Sequence, residues 1–168
     1  ASIYWLARMI EGGEDPRFIA RRLMILAAED IGLADPHALV LATACAQSVA
    51  LIGMPEGRIA LSETTIYLAM APKSNSAYSA INRALDDIRA GLVSEVPAHL
   101  KSSNYAGASN FGNGVGYKYP HDEAGGIVQQ EYIDDSIAMR SYYVPKNFGI
   151  EADKSSLWDR LRKIIRGK

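Results

Sequence analysis

Three short stretches of the chain carry residue types that chemistry uses. His121, Asp122 and Glu123 are metal-ligating types in a row; Glu29 and Asp30 are adjacent carboxylates; Lys73, Ser74 and Asn75 set a cation beside a hydroxyl and an amide. Spacing weighs against the first two. Neighbouring loop residues seldom supply several ligands to one ion, and His37 and His99 lie far off in the sequence. On a helix Glu29 and Asp30 stand about 100° apart, so they cannot share one proton or one metal, and a capped or solvated helix end suits them better. Gly112-Asn113-Gly114-Val115-Gly116 has the glycines of a phosphate cradle but neither the strand before it nor the helix after it. The segment Ala71 to Tyr78 is the sharper signal: an exposed Lys73 beside the free amides of a helix start suits a phosphate or a neighbouring subunit's carboxylate. Ser74 and Asn75 read equally well as caps in an interhelical turn, with Tyr78 just beyond.

The elements that position these groups are helical. Asp15-Pro16 and Asp35-Pro36 are helix starts, each pairing a carboxylate able to accept from opening-turn amides with a proline whose φ is already helical. Ile19, Leu23 and Leu26 fall on one face of a helix from Pro16 to Asp30, with Arg21 and Arg22 pointing away, either solvated or salt-bridged across an interface. Gly32 supplies the stop. Pro36 to Ile52 is almost entirely Ala, Leu, Val, Cys and Thr and predicts a central helix, apolar on most sides. A helix from about Glu56 to Ala71 follows, with Ile59, Ile66 and Met70 along one side, and then one from Ala77 to near Gly91 carrying Ile81, Ala84, Leu85 and Ile88.

The second half reads differently. Ser102 to Gly116 predicts a long, mobile loop. Tyr132 to Ile150, with Tyr142-Tyr143-Val144-Pro145, favours extended or turn structure and a small hairpin. A last helix is expected from Ser155 or Ser156, with Asp159 at capping-box spacing from Ser156, ending in Arg160, Arg162, Lys163, Arg166 and Lys168.

Composition bounds the function classes. The 168 residues, 48% of them hydrophobic, suffice for one compact domain with a real core. A formal net charge of -1 predicts neither nucleic-acid nor membrane binding from the total, leaving only local patches. The single cysteine, Cys45, excludes an internal disulfide framework and reads as a small buried apolar residue. No apolar run reaches membrane-spanning length and no signal-peptide pattern is present, so a soluble, cytoplasmic protein without a membrane partner is expected. Ile3, Leu6, Ala7 and Ile10 already stand at helical spacing, which predicts a fragment that starts mid-helix.

Several longer motifs then act together. Tyr4-Trp5-Leu6-Ala7-Arg8-Met9, Gly13-Glu14-Asp15-Pro16-Arg17-Phe18-Ile19-Ala20-Arg21-Arg22-Leu23, Glu29-Asp30-Ile31-Gly32-Leu33-Ala34-Asp35-Pro36, Tyr67-Leu68-Ala69-Met70-Ala71-Pro72-Lys73-Ser74-Asn75 and Gly116-Tyr117-Lys118-Tyr119-Pro120-His121-Asp122 occur in this order. Together they resemble the carboxy-terminal part of the replication-associated recombination ATPases, called RarA or MgsA in bacteria and related to the eukaryotic Werner helicase-interacting protein. From about Val128 onward the resemblance is looser.

That resemblance implies a clamp-loader-like AAA+ protein whose ATPase module and lid precede this chain. ATP and Mg would bind in that missing module, with no cofactor in this segment and no enzymatic activity of its own. It implies a mainly α, antiparallel helical collar that assembles a homotetramer. Residues 1–35 would end the lid-proximal segment and 36–168 would form the oligomerisation domain, one compact unit with 1–35. The family acts at stalled or damaged replication forks.

Two functions of different class follow. An oligomerisation module would self-associate through apolar helix faces. A DNA-contacting module would bind single-stranded or forked DNA through Lys73, Arg58, Lys118 and the terminal basic cluster, with Tyr117 and Tyr119 as stacking platforms and His121 alongside. A single-strand-binding protein is a further expected partner. The candidate interface or DNA contacts are thus Arg21, Arg22, Arg58, Lys73, Ser74, Asn75, Tyr78, Tyr117, Lys118, Tyr119 and His121, with no catalytic or metal-binding residue among them.

Overall fold

A computed structural model of the chain describes residues 1–167; Lys168, the last member of the expected basic cluster, lies outside the described residues. The α-helices are α1 (Ser2–Glu11), α2 (Pro16–Leu26), α3 (His37–Ile52), α4 (Gly57–Met70), α5 (Ser76–Arg89), α6 (Asp135–Ala138) and α7 (Gly149–Arg166). No strand occurs among the described residues, so the chain is all-helical. It divides into two compact units. Unit 1 holds Ala1–Ile81 and Tyr143–Lys154; unit 2 holds Asn82–Tyr142 and the chain from Ser155 onward. Both sides of the Asp35-Pro36 junction belong to unit 1.

Unit 1 is built on α1 to α4. Asp15 Oδ1 accepts from the Arg17 amide at 2.9 Å, and Asp35 Oδ1 from the His37 amide at 3.2 Å, so both carboxylates cap as their spacing predicts. α2 ends at Leu26 rather than at Asp30: Ala27–Ile31 widens into a π turn that holds Glu29 and Asp30. Gly32 follows with φ of 49° and ψ of -127°, a conformation an L side chain avoids. The Asp30 carbonyl then accepts the Ser74 amide at 2.7 Å, tying the end of this turn to the α4–α5 connection.

The core forms two neighbouring clusters. One joins Leu6, Ile19, Ala20, Cys45, Val49 and Leu61; the other joins Ala27, Ile31, Ala38, Ala42 and Leu68. Small residues dominate the α3 contribution, which lets α2, α3 and α4 approach closely.

α3 is not central. Its buried stripe is Ala38, Ala42, Cys45 and Val49, while Leu39, Val40, Leu51 and Ile52 face outward, Leu51 with 88% of its surface exposed. α4 divides in a related way. Its buried stripe is Gly57, Leu61, Thr64 and Leu68, and Ile59, Ile66 and Met70 lie on the exposed side. Glycine and threonine serve the buried stripe because close helix approach there favours small volume over hydropathy.

Two elements of the second half also differ from expectation. Tyr132 to Ile150 forms no hairpin: Pro145 lacks an amide donor, and the segment is fixed through side chains instead, as Tyr142 Oη on Asp87 at 3.1 Å and Tyr143 Oη on Glu151 at 2.9 Å show. α7 starts at Gly149, not at Ser155 or Ser156, because Glu151 occupies its first turn, where a carboxylate complements the unpaired amides. Ser156 is therefore interior to the helix and closes no capping box. Within Ser102 to Gly116 a short 3-10 turn forms at Ala108–Phe111, bracketed by Gly107 and Gly112 at positive φ.

Candidate functional site

Within unit 1 the segment around Lys73 is a connector rather than an open cradle. Lys73 Nζ donates to the carbonyls of Leu68, at 2.9 Å, and Ala71, so its charge satisfies the end of α4. Asn75 Oδ1 accepts from Lys146 Nζ. Ser74 is buried: its hydroxyl donates to Glu151 and lies 3.3 Å from the Ser76 amide, completing the turn into α5. Tyr78 lies on the exposed surface of α5.

Glu151, which no sequence pattern singles out, is the centre of this polar knot. It is 0% exposed and accepts from the hydroxyls of Ser74 and Tyr143. Burial alone raises its pKa, but hydrogen bonds from Ser74, Tyr143 and the Lys146 amide outweigh it and hold the carboxyl below its ordinary value. Burial first, and then the bond to Glu151, push the Tyr143 phenol up to about 12. A second polar tie joins Tyr67 Oη to Asp35 Oδ2 at 2.6 Å, with the His37 ring edge-on to Tyr67 at 5.9 Å. The bond to Asp35 and burial both raise the Tyr67 pKa. These ties engage the polar groups of unit 1 with one another.

What unit 1 does present is apolar surface. Besides the outward residues of α3, Ile66 and Met70 of α4, with Leu41 and Tyr67, line a groove of about 440 Å³ rimmed by Glu63 and Asp35. Met70 is 81% exposed. Arg21 and Arg22 are both exposed on α2; Arg21 stands 5.9 Å from the ring centre of Phe18 and only loosely, at 3.9 Å, from Asp15. Arg58 donates to the Pro55 carbonyl at 2.7 Å, away from Lys73's acceptors.

The remaining candidates fall in unit 2. Lys118 donates through its amide to Gln130 Oε1 at 2.8 Å and through Nζ to the Gln129 carbonyl at 3.2 Å. Tyr117 and Tyr119 are exposed, and the Tyr119 ring sits 5.0 Å from that of His121. Lys118 also lines a cleft of about 940 Å³ with His99, Gln130, Glu131 and Arg166. A smaller hollow of about 330 Å³ lies among Met139, Asp159, Arg162, Lys163 and Arg166. Arg21, Arg22, Arg58 and Lys73 thus belong to unit 1, and Tyr117, Lys118, Tyr119 and His121 to unit 2. Among the described residues no cluster of metal-ligating side chains forms, and no helix is long and apolar enough to cross a membrane.

Comparison with known proteins gives a consistent result. The family model described as MgsA AAA+ ATPase C terminal matches residues 1–162. An uncharacterized AAA domain-containing protein of Mycobacterium tuberculosis is 54% identical over 168 residues, all of this chain and 37% of that protein. Replication-associated recombination protein A of Bacillus subtilis is 46% identical over 97% of this chain and 39% of its own length. The protein of the same name from Escherichia coli is 41% identical over 90% of this chain and 34% of its own length. The chain thus spans well under half of each of these relatives.

Proposed function

The chain belongs to the MgsA AAA+ ATPase C-terminal family, and from that premise we propose that it is a collar-type self-association module, holding copies of a replication-associated recombination ATPase together as a homotetramer. ATP and magnesium, in this proposal, belong to the amino-terminal module of the longer protein, and this segment supplies assembly rather than chemistry.

One observation carries the reading: the apolar residues that α3 and α4 turn outward. A stripe of small residues suffices to pack α3 into unit 1, and the large ones, Leu39, Val40, Leu51 and Ile52, remain at the surface beside Ile59, Ile66 and Met70. Large exposed apolar patches mark association sites, and closed homo-oligomers are the usual way of covering them. Sedimentation or light scattering of the chain between micromolar and hundred-micromolar concentration tests the proposal. The expected mass is that of an assembly; a monomer throughout overturns it.

The α7 end in unit 2 supports a second role. Arg160, Arg162, Lys163 and Arg166 follow one another with Asp159 as the nearest acid, and Arg162 stacks over Trp158 at 5.9 Å. In this reading the cluster would contact the phosphates of single-stranded or forked DNA. Titration across a salt series is expected to show steep weakening with salt, and an absence of binding at low salt removes this role.

A further inference from the structure

We propose that the Phe18–Arg21 face of α2 in one copy seats in the Glu63-rimmed groove between α3 and α4 of the next copy, making the contact head-to-tail rather than two-fold symmetric. This rests on the self-association reading above and specifies which surfaces meet.

The two faces are complementary in composition and charge. The groove is lined by the apolar Leu41, Ile66 and Met70 together with the acidic Asp35 and Glu63. Both carboxylate oxygens of Asp35 are occupied internally, by Tyr67 and the His37 amide, whereas Glu63 is exposed and has no ion-pair partner among the described residues. No lysine or arginine lines the groove. The opposing face of α2 offers what the groove lacks: an exposed aromatic ring flanked by the Arg21 guanidinium, then Arg22 and the exposed Ile25 one turn on. Arg21 is only loosely engaged by Asp15, with both side chains more than half exposed. An aromatic anchor with an adjacent arginine is the composition that dominates binding energy at interfaces.

Helix geometry places the faces so that copies can chain. At about 100° per residue, Phe18, Arg21 and Ile25 lie opposite Ile19 and Leu23, and Glu63, Ile66 and Met70 lie opposite Leu61 and Leu68. Ile19 and Leu23 of α2 share core clusters with Leu61 and Leu68 of α4, so the buried sides of the two helices face each other. Their exposed sides therefore point away from each other across unit 1. Two different, complementary patches on opposite sides of one unit generate a ring when the rotation closes.

Charge reversal tests this in the full chain. Arg21→Glu and Glu63→Arg alter exposed residues, and unchanged helical circular dichroism verifies their folding. Each alone is expected to raise the dissociation constant of the assembly about tenfold or more. An equimolar mixture of the two variants, and the doubly reversed chain, are expected to recover assembly, because every groove then finds an opposite charge. Wild-type-like assembly of both single variants, or failure of the mixture to recover, overturns the head-to-tail pairing while leaving self-association intact. A monomeric wild type overturns the self-association reading itself.

Discussion

The hydroxyl of Ser74, in the connection between α4 and α5, donates to the carboxylate of Glu151, seventy-seven residues further along the chain in the first turn of α7. Because Ser74 also gives its amide to the Asp30 carbonyl, one residue links the end of the π turn, the interhelical connection and the returning helix of unit 1. A carboxylate with no exposed surface survives there only because its oxygens are occupied by the Ser74 and Tyr143 hydroxyls.

Removing that acceptor leaves buried donors without partners. Glu151→Ala is expected to lower the unfolding free energy by about 2 to 4 kcal/mol, and Glu151→Gln, which keeps one acceptor oxygen, by clearly less. Urea unfolding followed by circular dichroism measures both; equal losses would show that volume rather than hydrogen bonding holds the site.

The same knot makes stability depend on pH at both ends of the scale. Glu151 titrates lower in the folded chain than unfolded, so its contribution is complete above the unfolded value of about 4.3 and is lost as pH falls through the folded value. The stability gap between wild type and Glu151→Gln should therefore narrow as pH drops from 5 towards 3, as read by urea midpoints; a constant gap contradicts the assignment. Tyr143 has the opposite sign. With its folded pKa raised to about 12, its contribution is complete below the unfolded value of about 10 and disappears as pH rises through 12. Tyr143→Phe should lack that alkaline loss.

The caps of unit 1 are legible in the sequence because they are local. Asp15 and Asp35 act on amides two residues away, and the proline after each fixes the turn. Long-range packing is not legible in the same way. On α4 the large residues Ile59, Ile66 and Met70 make the more obvious stripe by hydropathy, yet the core takes Gly57, Leu61, Thr64 and Leu68, and which side packs is decided by α2 and α3. Glu151 is invisible for a related reason: nothing near it in sequence shows that Ser74 and Tyr143 will surround it. Of the candidate site, Arg21 was marked by its place opposite the Ile19 stripe, whereas the groove it is proposed to enter requires two helices to be packed before it exists.

A glycine variant separates backbone strain from steric overlap. Gly149 has φ of 54°, and an added Cβ would overlap the Ala34 carbonyl oxygen and lie 2.8 Å from Pro72 Cγ. Gly13, at φ of 80°, has nothing within 4 Å of such an atom. Gly149→Ala is expected to cost about 2 to 4 kcal/mol and Gly13→Ala only about 1 kcal/mol. Equal unfolding midpoints for the two variants would contradict the close approach at Gly149.

Cys45 is a built-in reporter of unit 1. It is buried in the first core cluster, and burial, which outweighs the Thr64 hydroxyl, raises its thiol pKa. Reaction with an aromatic disulfide reagent at neutral pH should be about a hundredfold or more slower in the native chain than in urea. Rapid labelling under native conditions would mean that α3 is not seated on α2 and α4 as described.

The order of synthesis gives the Ser74–Glu151 link a further meaning. A nascent chain that has emerged as far as α5 already contains the four helices of the first bundle and both of its apolar clusters. Ser74 must nevertheless stay hydrated, with its partner still untranslated, until the residues of unit 2 have passed through the ribosome and Glu151 arrives. Closure of the first unit thus waits for residues 143–154, which follow Asn82–Tyr142 of the second.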